Sequence, residues 1–103
     1  MSKISLIAKL TAADGKAAEL ETALHGVITA AAEEDGLEVY SAHRVDGEPG
    51  VYYFFELYRD QAAKDVHGKG EAMRTAMGAF AGLLAGRPEL ITMTPVAAKG
   101  LDI

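Results

Sequence analysis

The most constraining feature of the sequence is an apolar strand that turns directly into a helix. Residues 52–67 read YYFFELYRDQAAKDVH. Both sides of this strand are largely apolar, and it carries one carboxylate, Glu56, before Asp60 begins a helix that contains His67. A chain of 103 residues forms one domain, which has trouble covering a sheet from both sides. The segment therefore predicts a partner and a closed apolar space with few polar groups.

The rest of the sequence predicts further strands and helices around this segment. Alternation of apolar and polar residues predicts strands at residues 3–11, 37–45, 51–58 and 89–97, with a turn at 46–50. Asp14 can cap a first helix that runs to about Glu34, and Gly36 is a natural stop. Asp60 is the expected N-cap of the second helix.

One unbroken apolar stripe is predicted along the second helix, which Gly86 and Pro88 should end. It consists of residues three and four positions apart: Ala63, Val66, Gly70, Met73, Met77, Phe80 and Leu84. The element order is then β-α-β-β-α-β, an α+β ferredoxin-like fold with a four-stranded antiparallel sheet. We expect residues 1–103 to form a single domain with a C-terminal tail over residues 97–103.

Two helices can cover only one face of such a sheet, and the other face should be polar if it meets water. Strands one, three and four instead have apolar residues on both sides. An exposed apolar patch of that size usually marks an interface. The pattern predicts a homodimer in which two sheets pack face to face.

The composition excludes several functional classes. The net charge is −5 without a dense Lys/Arg patch, so nucleic-acid binding is not expected. The chain has no cysteine, which excludes disulfides and thiol nucleophiles and suits a reducing cytoplasm. No apolar run approaches the roughly 18 residues that span a bilayer. We therefore expect a cytoplasmic protein without a membrane segment.

His67 is the first candidate for chemistry, since histidine is the side chain best matched to proton transfer near neutral pH. Helical geometry places it at the edge of the apolar stripe. Gly70 leaves an empty place there, which His67, Arg74 and the aromatic strand could enclose as a pocket. The alternative is a histidine that merely caps the edge of the core beside a helix irregularity at Gly68 and Gly70.

Glu56 is the second candidate. A carboxylate in an apolar setting must be paired, or its pKa rises. Glu56 could orient a substrate or His67, or it could form a structural pair with a basic residue of a neighbouring strand such as Arg44. Standard catalytic motifs are absent from the sequence, and its three histidines lack the spacing of metal ligands, so no metal site is expected.

The strand-to-helix segment resembles the antibiotic biosynthesis monooxygenase family, which includes quinol monooxygenase-like proteins. The resemblance consists of an apolar strand ending in Glu, an aromatic residue two positions on, then Asp, a small-residue pair and His. In this chain these are Glu56, Tyr58, Asp60, Ala62-Ala63 and His67, and upstream Gly36 and Tyr40 through Arg44 fit the second strand of the family.

The resemblance implies a dimeric α/β barrel with a cavity between sheet and helices in each subunit. It also implies oxidation of a small aromatic ligand by O₂ with no cofactor, neither metal nor flavin. His67 would be the base or the hydrogen-bond partner of the ligand. Glu56 would orient a substrate or His67, or form a pair with another residue. The candidate substrate-binding residues are Tyr40, Arg44, Tyr53, Phe55, Met73, Arg74 and Met77.

The expected function is thus a small monooxygenase acting on quinols or related aromatic or polyketide-like compounds. One alternative is a non-catalytic, ligand-binding or stress-related member of the dimeric α/β barrel superfamily. Another is an isomerase or cyclase, because deprotonation of an activated carbon needs the same base without oxygen.

Overall fold

The computed structural model describes residues 2–103, which form a four-stranded antiparallel sheet and three helices. The elements in chain order are β1 (Ile4–Thr11), α1 (Ala17–Ala30), β2 (Leu37–Arg44), β3 (Val51–Tyr58), α2 (Gln61–Lys69), α3 (Glu71–Phe80) and β4 (Glu89–Met93). The strand order is β2-β3-β1-β4, so β1 and β3 are central. The predicted ferredoxin-like α+β fold is confirmed, with the second helix divided in two.

The strand predictions are confirmed except at the C-terminal strand. β3 has the predicted bounds, and the turn before it contains Gly47 and Gly50 at φ of 81° and 83°, a left-handed conformation that favours glycine. β4 was predicted to reach residue 97 but ends at Met93. Pro95 lies just beyond and has no N–H to donate to a neighbouring strand.

The first helix is shorter than predicted. It begins after Lys16, which takes the N-cap position, so the prediction that Asp14 caps it is wrong. Gly15 separates Asp14 from the helix in a left-handed turn with φ of 74°. The buried side of α1 consists of Leu20, Leu24 and Val27, which are spaced three and four residues apart and so lie on one side of the helix.

The second predicted helix is two helices, and this changes which side is buried. Gly70 has an extended backbone, with φ of −85° and ψ of 178°, and it ends α2 and begins α3. The break resets the helical phase, so the predicted continuous stripe is wrong. Val66 and Met77 are 63% and 60% exposed. The buried residues are Ala63 and His67 on α2, and Ala76 and Phe80 on α3.

The end of the second predicted helix is also earlier than expected. α3 ends at Phe80, well before Gly86 and Pro88. Gly82 follows with φ of 76°, a left-handed conformation in which a helix cannot continue. Leu84, predicted to belong to the helix, instead forms an isolated bridge with Ala12 beside β1.

The two faces of the sheet have different surroundings. The helices cover the face that carries Leu6, Leu10 and Phe54, where the core lies. On the opposite face, the paired residues Phe55, Ile7 and Ile91 form an apolar row across β3, β1 and β4. We call this surface, with the neighbouring Tyr53, the open face.

The C-terminal residues cover one end of the open face. Leu57 points to this face, yet it is buried and lines a shallow depression together with Leu101. Lys3 anchors the tail by donating hydrogen bonds to the main-chain carbonyl of Asp102 and to Oε1 of Glu38. In the part of the chain that the structure describes, no helix is long and apolar enough to cross a membrane.

The turn between α1 and β2 packs tightly against the start of α2. The Gly36 carbonyl accepts a hydrogen bond of 2.8 Å from the Arg59 main-chain N–H. A Cβ added at Gly36 would overlap with the Cβ of Ala63. Glycine at this position therefore allows the turn to lie directly against the second helical segment.

Replacing Gly36 by alanine should destabilise the protein by about 1–3 kcal/mol, because the added methyl group overpacks this contact. The matched control is Gly26→Ala on the exposed side of α1, where an added Cβ meets no atom of residues 2–103 within 4 Å. That change should stabilise the helix by about 0.5–1 kcal/mol. Urea denaturation measures the change in the free energy of unfolding for each variant. Equal changes in the two variants would contradict the packing described here.

Candidate functional site

Glu56 points toward the helices and away from the open face. On the neighbouring strands it pairs with Leu6 and Tyr40, whose side chains lie on the same face of the sheet. Its side chain is buried, with 7% of the residue exposed. The Tyr58 hydroxyl, two residues along the same strand, donates a hydrogen bond to Oε1 of Glu56.

Burial raises the pKa of the Glu56 carboxyl above its ordinary value. The hydrogen bond from Tyr58 and the nearby His67 act in the opposite direction, but burial is the larger effect. Burial also raises the pKa of Tyr58, and the adjacent Glu56 adds to the effect. A carboxyl in this setting tends to keep its proton, and it can then donate a hydrogen bond.

Glu56 does not form the alternative structural pair with Arg44. The Arg44 guanidinium donates two hydrogen bonds of 2.8 Å to the two carboxylate oxygens of Glu21 on α1. The Tyr52 hydroxyl donates to the same carboxylate at 2.7 Å. The hydrogen bonds from Arg44 and Tyr52 lower the pKa of Glu21 to about 2. Arg44 is therefore held at the α1 side of the sheet and is engaged by another carboxylate.

His67 is buried, with 3% of the residue exposed, although the sequence placed it at the edge of the core. The difference follows from the break at Gly70, which turns the Ala63–His67 side of α2 toward the sheet. The Tyr40 ring makes an edge contact with the imidazole at a centroid distance of 5.1 Å, and the Tyr58 ring lies at 5.7 Å. The imidazole is thus enclosed by aromatic rings of β2 and β3.

The two ring nitrogens of His67 have different environments. Nδ1 lies 3.0 Å and 3.2 Å from the two carboxylate oxygens of Glu34. Nε2 is buried and has no hydrogen-bond partner among residues 2–103. The nearest carboxyl oxygen on that side is Oε1 of Glu56, at 3.9 Å, which is too long for a hydrogen bond. An unpaired buried nitrogen is costly and is a place where a ligand can bind.

Sequence reasoning missed Glu34 as a site residue. Glu34 lies in the turn after α1, within an acidic run just before Gly36. The pairing of Leu37 with Tyr58 brings the residues that precede β2 close to those that follow β3. This pairing is the signal that could have identified Glu34, because a β2–β3 hairpin necessarily brings the start of α2 near that turn.

A groove of about 510 Å³ runs between α1 and the edge strand β2. Apolar and polar side chains of both elements line it, together with Tyr52 of β3: Glu21, Leu24, His25, Ile28, Thr29, Tyr40, Ser41, Ala42, His43, Arg44 and Tyr52. The Tyr40 ring stacks on Phe54 at a centroid distance of 4.9 Å and also contacts His67. Tyr40 is therefore common to the groove and to the buried histidine.

The structure brings together some of the predicted site residues. Glu56, His67 and Tyr40 form one cluster, and Arg44 lines the same groove as Tyr40. Tyr53 and Phe55 lie on the open face, since they alternate with Glu56 along β3.

The remaining predicted residues lie on α3, beyond the break. Met73 is half-buried, whereas Arg74 and Met77 are exposed. The predicted empty place at Gly70 is wrong. A Cβ at this position would lie 2.8 Å from the Val66 carbonyl oxygen, so the main chain approaches Gly70 closely. Within residues 2–103, no group of three or more His, Asp or Glu side chains converges as metal ligands.

The fold and the buried histidine between two carboxyl groups define a ferredoxin-like α+β domain with a buried polar cluster. The sequence profile described as antibiotic biosynthesis monooxygenase matches residues 3–79. The chain belongs to the antibiotic biosynthesis monooxygenase family.

Solved structures of similar proteins agree with this family. A Caulobacter crescentus protein, described as a candidate antibiotic biosynthesis monooxygenase, is 31% identical with a TM-score of 0.86, covering 93% of this chain and 92% of that one. Pseudomonas aeruginosa PA3566 is 27% identical with a TM-score of 0.85, covering 94% and 97%. NE2512 of Nitrosomonas europaea, a protein of unknown function, is 26% identical with a TM-score of 0.87, covering 99% and 97%. No curated protein matches the chain.

Replacing Glu56 by glutamine should make stability less dependent on pH. Because the folded-state pKa of Glu56 is raised, its favourable contribution is complete below the unfolded value of about 4.3 and is lost as the pH rises through the folded value. The variant should therefore gain stability relative to the wild type as the pH rises above about 4. A gain of about 1 kcal/mol corresponds to roughly 4–8 °C in Tm.

The control for this experiment is Glu48→Gln, an exposed carboxylate in the hairpin turn. Its Tm should run parallel to that of the wild type over the same pH range. A constant difference between Glu56→Gln and the wild type at every pH would contradict the raised pKa of Glu56.

Proposed function

We propose that this protein is a small monooxygenase that oxidises quinols or related electron-rich aromatic compounds with O₂, without a metal or flavin. The observation that carries the proposal is the buried Nε2 of His67, which lacks a partner among residues 2–103 and faces the buried carboxyl of Glu56 at 3.9 Å. Membership of the monooxygenase family supports the reaction class.

The substrate hydroxyl would bind between His67 and Glu56. An oxygen atom can lie about 2.8 Å from both Nε2 and Oε1, a normal hydrogen-bond length, when those atoms are 3.9 Å apart. Nε2 would accept the hydroxyl proton. Glu56 tends to keep its own proton and would donate a hydrogen bond to the same oxygen as negative charge develops.

The chemistry then follows from the electron-rich ring. Loss of the hydroxyl proton to His67 gives an anion that can transfer an electron to O₂, and a carbon–oxygen bond forms on recombination. The imidazolium returns its proton to the peroxide. Cleavage of the O–O bond with loss of a ring proton releases water, so that one quinol and one O₂ give one hydroxyquinone and one H₂O.

The groove between α1 and β2 would admit the substrate. Its lining includes Leu24 and Ile28, which suit an aromatic ring, and Tyr40 of the lining contacts His67. Exclusion of water around His67 by Tyr40 and Tyr58 would strengthen the electrostatic interactions on which the proton transfer depends.

Oxygen uptake tests this proposal directly. Metal-free and flavin-free protein should consume O₂ with at least one member of a broad quinol panel, and His67→Ala should lower the rate about 100-fold or more, since a general base contributes about 10²–10⁴. Lys69→Ala, an exposed change on the same helix, should leave the rate unchanged. The absence of O₂ uptake with every quinol, or full activity of His67→Ala, would refute the proposal.

One observation favours a second function, ligand binding without turnover. Tyr40 stacks on Phe54 and lies between the groove and His67, so a ligand could occupy the groove without reaching the base. Such a protein would bind a quinol in the groove with the same affinity in wild type and His67→Ala. Turnover that persists without oxygen would instead indicate an isomerase or cyclase.

We also propose that the protein forms a homodimer through the open face. Ile91 is 59% exposed in the single chain, and with Phe55 and Ile7 it forms an uncharged row across three strands. A second copy would bury this row against its own equivalent, as expected for a two-fold interface.

Ile91→Glu should convert the dimer to a monomer, because the change places a charge within the apolar row. Val66→Glu, at an equally exposed apolar residue on the helical side, should remain dimeric. Light scattering after size exclusion measures both masses. A monomeric wild type at micromolar concentration, or a dimer in both variants, would contradict the proposed interface.

A further inference from the structure

We propose that Glu34 is a positioning residue: it holds the His67 ring with the proton on Nδ1 and leaves Nε2 as the proton acceptor. The effect of Glu34 on turnover rests on the proposed function. The tautomer of the His67 ring does not rest on that function, since it follows from the contacts of the folded protein.

The contacts determine which ring nitrogen carries the hydrogen. Both oxygens of Glu34 lie within hydrogen-bond distance of Nδ1, at 3.0 Å and 3.2 Å. An ionised carboxylate can only accept, so Nδ1 must be the donor. A neutral imidazole has one N–H, and Nε2 is then left with a lone pair. The opposite form would place a lone pair against Glu34 and bury an N–H at Nε2 without an acceptor in range.

The position of Glu34 is fixed by its main chain as well as by its side chain. Its N–H donates to the Ala31 carbonyl at 3.1 Å, and its carbonyl accepts from the Leu37 N–H at 3.0 Å. Gly36, two residues on, packs against Ala63 on the helix that carries His67. The carboxylate and the imidazole are therefore held by two elements that touch each other.

The charge of Glu34 gives it a second effect. When Nε2 takes a proton the imidazole becomes a cation, and a carboxylate in direct contact at Nδ1 stabilises that cation. On the opposite side of the ring, Glu56 is the carboxyl that tends to keep its proton. The two carboxyl groups thus have different roles: Glu34 orients the base, and Glu56 meets the substrate.

Long-range proton–nitrogen NMR of the full chain measures the tautomer of His67 without any substrate. In the wild type at a pH where the ring is neutral, we expect a protonated Nδ1 and a bare Nε2. Glu34→Ala should abolish this single form, whereas Glu33→Ala, an exposed change in the same turn, should preserve it. A wild-type ring with its proton on Nε2 would overturn the proposal even if Glu34→Ala fails to fold, and so would an unchanged ring in a folded Glu34→Ala.

Glu34→Gln separates the charge from the hydrogen bond. Its amide can accept from Nδ1 through its oxygen or donate to Nδ1 through its nitrogen, so the same NMR measurement is made on this variant. Where Nδ1 keeps its proton, the rate of quinol oxidation should still fall at least about tenfold, because the neutral amide no longer stabilises the imidazolium. An unchanged rate would overturn the role in turnover. If the tautomer is as expected but no quinol is oxidised by the wild type, the proposed function fails while the positioning role of Glu34 stands.

Discussion

The hydrogen bond between Glu34 and His67 is the interaction around which the site is arranged. A polar imidazole buried under aromatic rings costs free energy unless its nitrogens are paired. Glu34 satisfies one nitrogen, and the other remains unpaired next to Glu56. The close packing at Gly36 and the helix break at Gly70 both serve this arrangement. The first brings the acidic turn to α2, and the second turns His67 toward the sheet.

Much of the fold could be predicted from the sequence because its signals are local. Strand alternation and the glycine-rich turn before β3 depend on neighbouring residues, and they predicted the sheet correctly. The sequence indicates the break at Gly70 only as an alternative, a helix irregularity, since apolar residues three and four apart continue across it. Only the packing of two separate helices shows that Val66 and Met77 face outward.

The site was less predictable for a physical reason. Its contacts join residues that are distant in sequence, such as Glu34 and His67, and these depend on which strands pair. The carboxylate that engages Arg44 is Glu21 on α1, because Arg44 lies at the end of β2, four residues beyond Tyr40, the strand neighbour of Glu56. Strand alternation alone places Tyr53 and Phe55 on the opposite face of the sheet from Glu56, although it does not tell which face lies against the helices.

The central claim is that the bare Nε2 of His67 binds a substrate hydroxyl, and a crystal structure with a quinol bound under anaerobic conditions tests it most directly. We predict a ligand oxygen within about 2.6–3.2 Å of Nε2, with Tyr40 displaced from its position between the groove and His67. A quinol bound in the groove with Tyr40 still stacked on Phe54, and with Nε2 still unpaired, would contradict the account.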